Sequence, residues 1–275
     1  MSPRRILHAA LLLILCSFPP VSLRAQTGQA STPAQVPGEI TAVPNRPTAA
    51  STGEVVQRGV LEIEYGFEVA DGHQNINGLV KFGLFQDLEL WFLNNPIERD
   101  SGIARFGDSG AGFKWRFLRQ KNAVPTFSLL YFATIPTAKD ALGAGAVGHT
   151  LQLLVSKDLG KHHFDVNFGP KFSGRPGASG YDRSYFSALS WSHPIRGKWG
   201  VTAEIAGYSR ANSSTPASMT ILAAPFYAVK PRLVIDIGAY AAPYGNLPRV
   251  TLFAGVTYSI ADLYRPHRAP KSSTK

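Results

Sequence analysis

The sequence is poor in cysteine, in charge and in long apolar runs. Its 275 residues include one cysteine, Cys16, and only 17% are charged, against about 25% in average soluble domains. Beyond the N-terminus there is no apolar run near ~18 residues, so a protein that crosses a membrane with helices is excluded. If the chain crosses a membrane, strands must do so. Cysteine catalysis and a disulfide scaffold are excluded too, because Cys16 lies in a segment that we expect to be removed.

Residues 1–25 have the organisation of an export signal peptide. Arg4 and Arg5 precede a short apolar stretch, Ile6 to Leu15, and Ala25 is a small residue at a suitable cleavage point. We therefore predict export. The formal net charge of +10 does not indicate a nucleic-acid partner, because the basic residues are dispersed and export removes the chain from nucleic acid.

The rest of the chain divides into three parts. Residues 26–58 are rich in Pro, Thr, Ala, Ser and Gly without a period, which predicts a flexible periplasmic arm. Residues 59–260 contain segments of roughly nine to eleven residues that are apolar at alternate positions, the period of a strand. We count about twelve segments, beginning near Gly59, Gln74, Leu88, Gly110, Thr126, Thr150, His162, Tyr185, Trp199, Met219, Arg232 and Val250. Residues 261–275 are polar and basic, which predicts a disordered tail.

The connections between these segments alternate between short and long. Residues 159–161 form a short link, and residues 95–109 and 174–183 form long ones, an alternation typical of outer-membrane barrels. In hydrocarbon each unpaired backbone group costs several kcal/mol, so the first strand must pair with the last. The sequence thus predicts an all-β fold, a single transmembrane antiparallel β-barrel of about 12 strands in the outer membrane of a Gram-negative cell. Outer-membrane lipid and the barrel-insertion machinery are the expected partners.

Aromatic residues near the segment ends are expected to form girdles at the two membrane interfaces. Packing in the core of a soluble sandwich is the alternative explanation for them. The residues concerned are Trp91, Phe92, Tyr131, Trp191, Trp199, Tyr208, Phe226, Tyr227, Tyr240 and Tyr258.

Charged residues at the alternate positions are expected to line the lumen, because Lys or Arg on the lipid face near the midplane costs ~2–4 kcal/mol. The candidates are Glu62, Glu64, Glu68, Glu89, Lys114, Arg116, Asp165, Lys171, Glu204 and Asp236. Two interpretations remain open. The charges line a passage that selects solutes by charge, or they form a salt-bridge network that fills a narrow barrel. Twelve strands lie between the filled eight-stranded barrel and the water-filled barrels of sixteen to eighteen strands.

No catalytic residue, metal or cofactor is predicted. Gly143–Gly148 fits the pattern G-x-G-x-x-G, but a strand does not precede it and a helix does not follow. Gly107–Gly110 mimics a protease nucleophile sequence without a locatable His and acid. The adjacent His162 and His163 point to opposite sides of a strand, so they cannot both bind one ion, even with Asp165 nearby.

Three stretches of the sequence resemble a known family. They are Asn45-Arg46-Pro47 followed by Ser51-Thr52 and Val55 to Phe67, then Gly107-Asp108 followed by Gly112 to Leu118, and Ile135-Pro136-Thr137-Ala138. Together they are similar to the bacterial outer-membrane transporter family labelled "MetA-pathway of phenol degradation", over about residues 45 to 260. The resemblance implies an outer-membrane barrel with a transport role, and it supplies no defined substrate or site.

The function that the sequence favours is a porin-like channel or transporter for the passive passage of small solutes, not an enzyme. In this interpretation the arm could plug or gate the lumen from the periplasm. The alternatives are an outer-membrane enzyme of the lipid hydrolase type and a structural or adhesive barrel with a plugged lumen.

Overall fold

The computed structural model describes residues 39–100, 102–139 and 142–264. The predicted signal peptide, residues 26–38 of the arm and residues 265–275 of the tail lie outside this part of the chain. Within it, thirteen strands follow one another, and no helix is long and apolar enough to cross a membrane. The strands are β1 Val60–Ala70, β2 His73–Phe85, β3 Leu88–Asp100, β4 Ile103–Arg105, β5 Ser109–Leu118, β6 Thr126–Ile135, β7 Gly148–Leu159, β8 His162–Gly174, β9 Tyr181–Arg196, β10 Trp199–Tyr208, β11 Ser218–Lys230, β12 Leu233–Tyr244 and β13 Val250–Asp262.

Twelve of these strands close into one antiparallel barrel. Each long strand pairs with its neighbours in sequence, β3 passes on to β5, and β1 pairs with both β2 and β13, which completes the ring. The predicted fold is therefore confirmed. The short strand β4 was not predicted; it pairs with the end of β3 within the long connection to β5.

Most strands begin within two residues of their predicted starts. Two predicted loops are shorter than expected. β9 begins at Tyr181 rather than Tyr185, because Asp182 still pairs with Ser173 across the sheet. β3 continues to Asp100 through the expected loop, because its last residues pair with β2 beyond a register shift. At the C-terminus, Asp262 still pairs with Val60, so the barrel extends two residues into the segment that was predicted to be a disordered tail.

The barrel is apolar outside and polar inside, the reverse of a soluble globular protein. Outward side chains such as Ile237 and Leu252 are 60% and 56% exposed, whereas the inward-facing Glu62, Glu89 and Lys114 are each 0% exposed. The period of two in the sequence produces this division, because successive side chains of a strand point to opposite faces.

The expected aromatic girdles are only partly correct. Six of the ten aromatic residues face outward, but four share the inward set of their strands. Trp91 alternates with the inward Glu89, Tyr208 with Glu204, and Phe226 pairs directly with Asp236. The inward residues are Trp91, Tyr208, Phe226 and Tyr240. Proximity to a strand end was the wrong criterion for them, since strand register decides the face.

The two ends of the barrel differ. At one end, called the turn end, two-residue turns connect the strands except for residues 119–125 between β5 and β6, and β1 begins and β13 ends there. At the other, the loop end, the connections have five to twelve residues except between β1 and β2. That connection is the two-residue turn Asp71-Gly72, in which Gly72 takes a φ of 72°, a value that favours glycine.

Candidate functional site

Residues 39–58 lie inside the barrel at the turn end of its lumen. This segment, called the arm below, forms neither helix nor strand, and Val43, Ala50 and Val56 are only 2%, 1% and 0% exposed. The prediction of a flexible periplasmic arm over residues 26–58 is therefore wrong for residues 39–58. The reason is that buried backbone N–H groups must find acceptors, and the polar lumen wall supplies them.

Four buried glutamates of the wall accept hydrogen bonds from the backbone of the arm. In each pair the backbone nitrogen of the arm lies 2.6 to 3.0 Å from a carboxylate oxygen of the wall. The pairs are Val43 and Glu62, Asn45 and Glu64, Ala50 and Glu204, and Val56 and Glu89. The acceptors project from β1, β3 and β10, so the arm is held from several sides of the ring. Bonds from an N–H to an ionised carboxylate are roughly twice as strong as those between neutral groups.

Two fully buried lysines pair with three of these four carboxylates. The Nζ of Lys81 lies 2.6 Å from Glu62 and also pairs with Glu64, and the Nζ of Lys114 lies 3.0 Å from Glu89. Each ammonium also donates to a backbone carbonyl of the arm. The side chains that form the ion pairs of the wall are thus the same ones that hold the arm in place.

Arg46 occupies a notch in the wall. Gly66 of β1 and Gly255 of β13 pair across the sheet, and a Cβ built on either would lie 1.9 or 2.2 Å from the guanidinium group. The guanidinium donates to Asn77 at 3.0 Å and to Asp236 at 3.3 Å. The two glycines are therefore required by the close approach of this side chain.

A second polar group supports the arm on the opposite side of the barrel. Asp165 accepts from the Oγ of Ser156 at 2.5 Å and bonds to the Nε2 of His163 at 3.0 Å. The same Ser156 oxygen accepts from the N–H of Gly53 at 2.6 Å. His163 is held on its other side by Asp158 at 2.7 Å.

The structure directs all ten predicted lumen residues toward the interior. Their partners leave little of the charge of seven of them free. These seven, which bond directly to the arm, are Glu62, Glu64, Glu89, Lys114, Arg116, Glu204 and Asp236. Asp165 acts through Ser156, and Glu68 bonds to Asn77 and Tyr240. Lys171 lies nearer the loop end, with its Nζ 5.3 Å from the ring centroid of Tyr208. A role of these residues in solute selection stays a prediction.

The two histidines considered for a metal site lie on opposite faces of β8. His163 faces the lumen, whereas His162 faces outward, stacked on His193 with ring centroids 4.5 Å apart. Among residues 39–100, 102–139 and 142–264, no group of three or more His, Cys, Asp or Glu side chains is placed to hold a metal ion.

Sequence reasoning missed several participants in this site, among them Lys81 and Asn167. Lys81 lies in the inward set of β2, and the alternation from Asn77 would have placed it there. Asn167 bonds to both the N–H and the carbonyl of Ser51, and its alternation with Asp165 places it inside the barrel. No local pattern could have shown that pairing, because the residues are 116 positions apart.

Comparison with known proteins yields structural matches only. No family model and no curated protein matches the sequence. The COG4313 outer membrane channel from Pseudomonas putida F1 superposes with a TM-score of 0.60 at 13% identity, covering 77% of this chain and 99% of that one. The NanC porin gives 0.55 at 10% identity, covering 73% and 100% of the two chains, and the KdgM porin gives 0.54 at 11%, covering 73% and 99%.

At these identities the comparisons show the fold. The chain has the fold of outer-membrane β-barrel channels. Its own ring has twelve strands, whose register defines the lipid-facing and lumen-facing sides. Within this fold, the arm described above crosses the turn end of the lumen.

Proposed function

We propose that the protein is an outer-membrane channel for the passive passage of small solutes, and that the arm closes it in the conformation described. The observation that carries the proposal is the way the arm is held. From Val43 to Val56 it bonds to side chains of the wall, and it adds no strand to the sheet. Its departure would therefore leave the barrel's own backbone hydrogen bonds intact.

The proposal includes a cellular setting. The protein would be exported by means of residues 1–25, inserted by the barrel-insertion machinery and surrounded by outer-membrane lipid. The apolar outer face of the barrel is consistent with this setting. Membership of the transporter family labelled "MetA-pathway of phenol degradation" belongs to the same proposal. It is supported by the Asn45-Arg46-Pro47 motif, whose arginine occupies the glycine notch, and by the likeness in fold to the COG4313 channel.

A permanently plugged structural barrel is the main competitor, and the buried ion pairs of Lys81 and Lys114 favour it. A lipid hydrolase is less well supported. Ser156, Asp165 and His163 do come together, but the Ser156 hydroxyl donates to Asp165 rather than to His163, and it is covered by Gly53. That arrangement lacks the nucleophile–base hydrogen bond that hydrolysis needs.

A reversible covalent lock distinguishes a gated channel from a permanent plug. A Cβ built on Gly53 would lie 3.1 Å from the Oγ of Ser156, so cysteines at these two positions are close enough for a disulfide. The refolded variant with Gly53→Cys and Ser156→Cys should be electrically silent in planar bilayers when oxidised. Reduction should restore the channel openings of the unmodified protein, because only then can the arm leave the lumen.

The single substitutions Gly53→Cys and Ser156→Cys serve as controls and should conduct with or without reductant. A folded protein that never conducts, whether reduced or not, would favour the plugged structural barrel. Equal conductance of the oxidised and reduced double variant would show that solutes bypass the arm, and the proposed gate would then be wrong.

A further inference from the structure

A row of inward side chains crosses the wall on the loop-end side of the arm. Cross-strand pairing joins Phe132 of β6 to Thr150 of β7, then to Lys171 of β8 and to Ser184 of β9. Adjacent strands lie about 4.8 Å apart, so the base of the Phe132 side chain is about 10 Å from that of Lys171. An apolar ring, two hydroxyl groups and one ammonium group therefore share a single level of the lumen.

Lys171 differs from the other inward lysines in having no acid partner. Lys81 and Lys114 are each ion-paired to glutamates, but within the described part of the chain no carboxylate lies within 4.0 Å of the Lys171 ammonium. Its described neighbour is the ring of Tyr208, which is 39% exposed although it faces inward. The nearest inward acid along β9, Asp182, is already engaged by Arg175 and Asn212.

The wall beside this level is apolar. Trp91, Leu130 and Leu154 form a buried cluster, and Leu93 and Phe132 pack against it while remaining partly exposed to the lumen. On the other side, Ala50 of the arm packs against Phe186, so the arm forms the floor. The loop-end lumen therefore offers an unpaired cation on one side and an apolar wall on the other.

We propose that Lys171, with Thr150 and Tyr208, forms a binding subsite for an organic carboxylate that also carries an apolar part. The carboxylate would accept hydrogen bonds from the Lys171 ammonium, and the apolar part would lie toward Phe132 and Leu93. This inference rests on the proposed function, because it assigns a class of solute to the same lumen. Lys114 and Arg116, which the sequence suggested as selecting residues, are instead engaged by the arm and its neighbours.

The test uses benzoate as the probe and benzamide as its uncharged counterpart. Binding to the folded full-length protein in detergent is measured by titration calorimetry, so the result does not depend on conductance. Benzoate should bind saturably and benzamide at least tenfold more weakly, since a hydrogen bond to a charged group contributes a factor of about 10 to 100. Lys171→Gln should weaken benzoate binding about tenfold or more, and Lys171→Arg should restore most of it.

Lys161→Gln, an exposed lysine in the turn between β7 and β8, is the matched control and should bind benzoate as the unmodified protein does. Two results would overturn the subsite: equal benzoate affinity of Lys171→Gln, or no saturable binding to a barrel shown to be folded by circular dichroism. If benzoate binds through Lys171 but neither state of the Gly53/Ser156 lock conducts, the subsite stands and the channel proposal fails.

Discussion

At the scale of single residues, the lumen wall depends on ion pairs that share partners. Lys81 is 0% exposed and contacts Glu62 and Glu64, which are 0% and 2% exposed. Lys81→Met would leave two buried carboxylates without their cation, and removing one partner of a buried pair typically costs about 3–5 kcal/mol. We expect a loss of that size in the free energy of unfolding, measured by urea titration of the protein in lipid vesicles.

The matched control for this prediction is Lys157→Met. The Lys157 side chain faces outward on β7, and its ammonium donates to the carbonyl of Asn122 in an exposed turn. Its replacement should leave the unfolding midpoint almost unchanged. Stability of Lys81→Met equal to that of the control would mean that water or the arm replaces the lost charge, and the ion pairs would then be dispensable.

Which face a residue occupies could be predicted from the sequence wherever the alternation was followed strictly. The inward position of Glu62 and Glu204 follows from a period of two and from the cost of charge in lipid. The aromatic residues show the limit of the rule. Tyr208 and Trp91 were assigned by their closeness to a strand end, although their own alternation with Glu204 and Glu89 places them inside.

At the scale of elements, the arm has no secondary structure of its own but is held by the wall along its length, so we expect it to leave the lumen as one body. The backbone N–H groups of Ala49 and Ala50 both donate hydrogen bonds to the carboxylate of Glu204. Glu204→Ala removes both acceptors, and we expect faster hydrogen exchange over residues 43–56 as a unit, measured by mass spectrometry in detergent. Buried N–H groups that lose their acceptors cost about 1–3 kcal/mol, which corresponds to an increase in exchange rate of roughly 5-fold to 150-fold.

Glu68→Ala is the control, since Glu68 is also an inward glutamate but bonds to Asn77 and Tyr240 rather than to the arm. Its exchange rates over residues 43–56 should match those of the unmodified protein. If Glu204→Ala accelerates exchange only at Ala49 and Ala50, the arm opens piece by piece, and release as one body would be wrong.

The position of the arm could not be predicted from local sequence. A strand can be recognised from a period of two, but the arm has no period, because its bonds go to several strands and most of those strands are distant in sequence. Ala50 bonds to Glu204, which is 154 positions away in the sequence, and Gly53 bonds to Ser156, which is 103 positions away. A segment rich in Pro, Ser and Thr reads as a linker, and only the closed ring of polar acceptors around it makes it ordered.

At the scale of the whole molecule, an even number of strands sets the topology. With twelve strands in the ring, the start of β1 and the end of β13 meet at the turn end, together with the arm. Outer-membrane barrels have their short turns in the periplasm and their longer loops outside the cell. The arm would then close the lumen from the periplasm, and the Lys171 level would be open to the exterior first.

This orientation predicts how introduced cysteines react in intact cells. Cys16 lies in the predicted signal peptide, so the mature chain should offer no thiol of its own to an impermeant maleimide. Ala178→Cys, in the exposed connection between β8 and β9, should be labelled on intact cells. Lys161→Cys, in the exposed turn at the opposite end, should be labelled only after the outer membrane is permeabilised. The reverse pattern would place the arm at the cell exterior, and labelling of both sites on intact cells would contradict a membrane-spanning barrel.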